Sequence, residues 1–383
     1  MGGERGTMTA TLLALVVALG ALAACGGAEE ETPAPVPAAS PTEAQPDRPR
    51  LDASQVSVVE RFRLEPQGRW SDARAALVDG GGRLYVLDAV SPARILRFEA
   101  DGGGMMRFGE GEDDPSAAVV ARDMSLGAPW NTLLMVDRAK QILSAYLTLG
   151  MSTYTVEVSG GVPIHALARP QFGEYYLHAW DQARSRAGVY HMRLPIDTLA
   201  VTYEVAIPLQ APIRKIMRDI YFHTATDAEG RLYVAFQDVY PARVLEPDGT
   251  TARLVGVDRV GVARSPERVT AETAEALDKL RREAPDIPDS LLMDAARPDS
   301  LLPLIEEIDV DPEGRLWVRT HRADAFATTP YDVFDAEGRY LARVDVPGEV
   351  RATSFGPDGA LVVVEGPPDA AGTVVRYEVR LSG

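Results

Sequence analysis

Cysteine occurs once in these 383 residues, at position 25. No internal disulfide can form, and neither a thiolate zinc cluster nor Cys-x-x-Cys redox chemistry is available. Basic residues are in deficit, 39 Lys and Arg against 56 Asp and Glu, which leaves a formal charge of −17. A body this acidic repels phosphate backbones, so nucleic acid is excluded as a non-specific partner. Local catalytic signatures are missing too: there is no His-Glu-x-x-His pair, no Walker loop and no Gly-x-Ser-x-Gly elbow. The apolar run from Leu12 to Leu19 is shorter than a permanent membrane span requires. What remains is the composition of a globular protein, 46% hydrophobic and 25% charged, long enough for a large core, which excludes disorder throughout.

That short run has the length of an export-signal core, preceded by one charge pair, Glu4 and Arg5, and followed by small residues. Its end, Leu22-Ala23-Ala24-Cys25, resembles the bacterial lipobox. The resemblance implies that residues 1–24 are a signal peptide, that Cys25 is diacylated, and that its new amino group is acylated after cleavage. Two or three acyl chains, at about 0.8 kcal/mol per buried methylene, anchor a protein stably where one would not. The bland alternative is an incidental cysteine in a signal cut elsewhere or in a retained anchor helix. Gly26 stands where the inner-membrane retention signal has Asp, so the expected address is the cell envelope, and the outer membrane where the cell has two. Residues 25–50 carry Pro33, Pro35, Pro37, Pro41, Pro46 and Pro49 with almost nothing to bury, and read as the lipidated cysteine and a semi-extended tether.

The body, 51–383, contains an internal repeat. Its copies are Asp79-Gly80-Gly81-Gly82-Arg83-Leu84-Tyr85-Val86, Asp227-Ala228-Glu229-Gly230-Arg231-Leu232-Tyr233-Val234, Asp311-Pro312-Glu313-Gly314-Arg315-Leu316-Trp317-Val318 and the worn Gly356-Pro357-Asp358-Gly359-Ala360-Leu361-Val362-Val363. Asp and Gly supply the side-chain hydrogen bond and the positive φ of a tight hairpin turn. The run that follows alternates aliphatic and aromatic residues, a strand with both faces buried. The turn glycines stand at 82, 230, 314 and 359, which one period of 45–50 residues explains with an insertion before the third copy. Six units result, at roughly 70–110, 115–159, 162–208, 213–257, 304–346 and 348–383. The last shows three strands, and Val56–Leu64 is expected to supply its outer strand and close the ring. The spacing therefore predicts an all-β fold, a six-bladed β-propeller closed by an N-terminal strand. Residues 258–303 break the pattern: Ser265-Pro266 offers a helix start, and Val269, Thr273, Ala276, Leu277 and Leu280 share one face of the helical insertion between blades four and five. Pro288-Asp289-Ser290-Leu291-Leu292 recurs as Pro298-Asp299-Ser300-Leu301-Leu302, which predicts two short capped turns.

Asp79-x-x-Gly82-x-Leu84-Tyr85-Val86-x-Asp88, continued by Arg94-Ile95-x-x-Phe98 and Gly102, resembles an NHL repeat of the six-bladed, TolB-like propeller class. The resemblance covers most of 56–383, with the first blade the near-complete match. It implies the fold strongly and the function hardly at all, since such propellers host lactonases, lyases, sensor ectodomains and plain binding modules.

Propeller sites are assembled from residues scattered over several blades near the central channel. Inner strands start, and second strands end, on one face. The starts bring Arg74, His165, His223 and Arg351 there; the ends bring Asp88, Asp137, Asp181, Asp238, His321, Arg322, Asp324 and Glu365. Together they suit a cation or a polar, possibly basic, ligand. Each Asp equally suits a turn in which it accepts backbone N–H bonds. The histidines have no metal-ligand spacing, and the acidic loop 109–114 reads as a solvated connector rather than a calcium loop. The expected function is a lipid-anchored, non-enzymatic binding or scaffold module for a protein or small polar ligand, with no cofactor and with the membrane engaged through the lipid. The alternative is a lactonase- or lyase-type enzyme with a divalent cation in the channel. Propellers resembling gluconolactonases rely on Asn beside acids, and Asn131 is the only Asn in this chain.

Overall fold

The computed structural model describes residues 48–90, 93–108, 121–127, 132–137, 141–148, 152–158, 161–169, 174–181, 183–193, 196–207, 222–259, 261–283, 288–321, 327–367 and 370–382. Strand-forming runs separated by Asp-Gly turns give six four-stranded antiparallel sheets. Blades one to five span 73–108, 121–157, 162–206, 223–255 and 307–347, each laid down from its inner strand outward. In the sixth, three strands from 350–381 are joined at the outer edge by Val56–Leu64, paired from Val56 opposite Leu381 to Leu64 opposite Val374 with a one-residue shift at Arg61. The first and last strands of the propeller therefore share a sheet, and the fold is the expected six-bladed β-propeller.

Burial explains why the blades stack. All five residues of Leu84–Asp88 are buried, so each face of the strand needs an apolar partner. Six apolar clusters supply them, one between each pair of neighbouring blades. Tyr85 and Ile95 meet Met124 and Leu133 between blades one and two, and Trp70 and Phe98 meet Val362 and Val374 where blade six returns to blade one. Trp317, which replaces the repeat tyrosine, sits in the cluster between blades five and six.

The repeat motif is a buried latch. Asp79, Asp227 and Asp311 each use one carboxylate oxygen to accept the backbone N–H groups two and four residues on, at 2.9–3.1 Å. The other oxygen accepts from the following Arg Nε at 2.7, 2.6 and 2.6 Å, and from Tyr85, Tyr233 or Trp317 at 2.9, 3.2 and 2.9 Å. The glycine of each turn has φ between 76° and 81°, a conformation that costs other residues roughly 1 kcal/mol or more. Asp335-Ala336-Glu337-Gly338-Arg339 repeats this turn at the outer hairpin of blade five, without the aromatic partner.

The insertion contains two helices, Pro266–Glu283 and Asp289–Ala296, packed through Leu277, Leu280, Leu292 and Ala296. Ser265 Oγ accepts from the Arg268 N–H, the expected start signal. Only the first Pro-Asp-Ser-Leu-Leu copy is helical. The second is extended, and Leu301 bridges Ala263. Pro303 is the cause: it follows the second copy directly and disfavours helical backbone at Leu302, whereas the first copy runs on into Met293-Asp294-Ala295-Ala296. Among the described residues, no helix is long and apolar enough to cross a membrane.

Candidate functional site

The channel face opens into a cleft of about 470 Å³ where blades five, six and one meet. Three residues expected on this face line it: Arg74 on the inner strand of blade one, Arg351 on that of blade six, and His321 beyond the second strand of blade five. The rest of the wall comes from Glu306, Arg319, Thr320 and Thr328–Pro330 of blade five, Glu349 and Val350 of blade six, Gln237 of blade four, and Arg268 and Pro303 of the insertion.

Blade five organises the charges. Arg319 ends its second strand and is nearly buried; it donates to the Val350 carbonyl at 2.9 Å, pairs with Glu307 at 3.2 Å, and faces Glu306 with its Nε at 3.5 Å. Glu306 pairs with His321. Burial works to raise the Glu306 carboxyl, but the His321 hydrogen bond and the charges of Arg319 and His321 outweigh it and hold the group below its ordinary range. Its neighbour Glu307 goes the other way, pushed up by burial, and burial pushes Asp309, deeper along the same strand, well above the carboxylate range. Thr320 is 5% exposed and its hydroxyl has no partner among the described residues. Thr329 is engaged, accepting from Val350 N and donating to the Gly348 carbonyl.

The remaining expected residues divide. His165 and His223 sit on the inner strands of blades three and four, and burial lowers both to about 4, helped by the charge of His223 in the first case and of Arg319 in the second. They belong to the channel but do not line the cleft. Arg351 reaches the cleft with its guanidinium committed to the Gly366, Pro367 and Ala370 carbonyls, which fix the loop after the second strand of blade six. Asp88 does not face the channel at all. It is fully buried, accepting from the N–H groups of Ser71 and Asp72 at 3.2 and 3.0 Å and pairing with its cross-strand neighbour Arg94 at 3.0 Å. Glu365 is likewise turned into its own blade, where it accepts from Tyr377 and pairs with Arg63 of the closing strand at 3.2 Å. Asp181 caps a turn through the Arg184 N–H at 3.0 Å, Asp137 is buried at its strand end, and Asp238 is exposed in its turn. Asp88, Asp181 and Glu365 thus do not converge on the channel: each is captured by nearby backbone donors or by side chains of its own blade. Cys25, Arg322, Asp324 and the loop 109–114 lie outside the described residues. Among the described residues, no three His, Cys, Asp or Glu side chains are grouped as a metal ion needs.

Sequence reasoning passed over Arg319, Thr320, Glu306, Glu349 and Arg268. Two of these carried a signal. Arg319 occupies the repeat position held by Leu87, Ala235 and Val364, and Thr320 the position held by Asp88 and Glu365. A charge where every other copy is apolar marks the blade that departs from the scaffold.

No family model matches the chain, and no curated protein matches it in sequence. Its fold is similar to that of a member of the DUF4221 family from Bacteroides vulgatus, with 11% identity, a TM-score of 0.51 and coverage of 85% of this chain and 99% of that one. Regucalcin, a calcium-binding protein from Agrobacterium tumefaciens, matches with 12% identity and a TM-score of 0.47 over 85% of this chain and 95% of its own. A streptogramin B lyase matches with 8% identity and a TM-score of 0.43 over 80% and 78%. Likeness at these identities is a likeness of fold.

Proposed function

We propose that this chain is a lipid-anchored cell-envelope propeller that binds a small polar ligand in the cleft between blades five, six and one, without chemistry on that ligand. The observation that carries the reading is the Thr320 hydroxyl, buried at 5% exposure in the cleft wall and without a partner among the described residues. Buried polar groups are normally paired, and leaving one unmade costs about 1–3 kcal/mol. A bound polar molecule removes that cost. Strand termini from three blades hold the wall in place, so recognition needs no movement of the scaffold. Acylated Cys25 fixes the protein at the envelope, at the outer membrane where there are two, and the proline-rich tether gives it reach.

Both halves are open to test. Expressed with its own leader, the full chain is expected in the membrane fraction, and Cys25→Ser is expected to release it; a variant that stays bound sinks the lipid reading. For the cleft, the melting temperature of the full chain in detergent is measured against a panel of small acids, amines, sugars and amino acids. At least one compound is expected to raise it in the wild type and not in Thr320→Val, a near-isosteric change that removes only the hydroxyl. A panel with no stabilising compound, or equal stabilisation of both proteins, refutes binding at this site.

A further inference from the structure

We infer that the cleft's ligand is a small zwitterion, a molecule with a free carboxylate and a free ammonium, such as an amino acid or short peptide. The inference rests on the binding reading above and narrows it. Arg74 and Arg268 line the cleft at 41% and 40% side-chain exposure, and among the described residues each engages only through its Nε, on Asp72 at 2.9 Å and on Glu272 at 2.6 Å. Their terminal nitrogens are left to the cleft, the fork that a planar carboxylate meets with two parallel bonds.

The opposite charge is also present. Glu349 lines the same cleft, half-buried, and its carboxylate has no ion pair or hydrogen bond among the described residues. Glu306 is different, being already satisfied by His321 and Arg319. A simple anion would meet the unneutralised Glu349, and a simple cation would meet the guanidinium forks; either meets a like charge that repels it. Only a ligand carrying both signs answers both sets of groups. Pro303, Pro330 and Val350 give the cleft an apolar stretch of wall for the ligand's uncharged body, and the Thr320 hydroxyl adds one neutral hydrogen bond.

Matched ligands test this. Calorimetric titration of the full chain in detergent compares leucine with 4-methylpentanoate, which lacks its ammonium, and with 3-methylbutylamine, which lacks its carboxylate. 6-Aminohexanoate and leucyl-leucine serve as zwitterions of wider charge separation and tell amino acid from peptide. At least one zwitterion is expected to bind about tenfold or more tighter than either single-charge analogue, the worth of a charged hydrogen bond. Glu349→Gln is expected to erase the advantage over the carboxylate by tightening 4-methylpentanoate and weakening the zwitterion, and Arg74→Gln to erase the advantage over the amine. An equally tight single-charge analogue overturns the zwitterion assignment, as do an unchanged preference in Glu349→Gln with a native melting temperature and a set in which no zwitterion binds. Failure here with a different Thr320-sensitive compound in the wider panel removes the zwitterion alone; failure of that panel as well removes the site.

Discussion

Removing the Asp227 carboxylate with Asp227→Ala strands four donors at once: the Glu229 and Arg231 N–H groups, the Arg231 guanidinium at 2.6 Å and the Tyr233 hydroxyl at 3.2 Å. The Asp side chain is fully buried and Arg231 is 21% exposed, so solvent can rescue the guanidinium only in part. Breaking a buried pair costs about 3–5 kcal/mol, and the partial exposure places this one near about 3 kcal/mol. With an unfolding entropy of about 2.1 cal/mol/K per residue over roughly 330 residues, the melting temperature should fall by about 4 °C. Asp335 supplies the internal control, since it makes the same bonds to Arg339 N and Nε but lies at 15% exposure, with Arg339 at 48% and no aromatic donor. Asp335→Ala should therefore cost about 1 kcal/mol or less. Scanning calorimetry of both variants decides the matter. Equal losses, or a loss below about 1 kcal/mol for Asp227→Ala, would show that burial does not set the strength of the latch.

Two further outcomes follow from the channel and the turns. His165 and His223 stay neutral in the folded state down to about 4, while in the unfolded chain they take up protons below about 6.5. Their contribution is thus lost as pH falls through that window, by up to about 3 kcal/mol each, and the stability advantage of the wild type over His223→Gln should shrink between pH 7 and 4 in urea titrations; parallel pH profiles would refute it. Gly338 and Gly359 have φ of 82° and 77°, but a Cβ at 338 would lie 2.8 Å from Val255 Cγ2, whereas none would be met within 4 Å at 359. Gly338→Ala should be the worse by at least about 1 kcal/mol, because overpacking between blades four and five adds to backbone strain; equal melting temperatures for the two variants would remove the packing account.

The fold was legible because its signals are local and repeated. An Asp-x-x-Gly turn declares its own geometry in a few residues, and strands buried on both faces show it in composition. Even the closing strand followed from counting three strands where others had four. The site was less legible because the chain does not say which way a strand-end side chain turns. Asp88 and Thr320 occupy equivalent repeat positions, yet Arg94 and two backbone N–H groups claim the first while no described residue claims the second. The Asp88–Arg94 pair was readable from antiparallel register, and Arg319 was readable as a break in the repeat. Glu349 and Arg268 were not, since only the packing of the insertion against three blades brings them to one opening.

The closing strand also decides how the molecule bears mechanical load. Val56 is the first rung of the seam and pairs with Leu381, so a pull from the N-terminal side would peel that seam one rung at a time. Ahead of it, Leu51 N–H binds the Leu341 carbonyl at 2.9 Å, the Leu51 side chain is sunk between blades five and six, and Gln55 bonds to Ser382. Tension arriving through residues before 48 is therefore spent first on blade five. The ring is thus strain-relieved ahead of its closing seam, which is shielded from the force most able to unzip it.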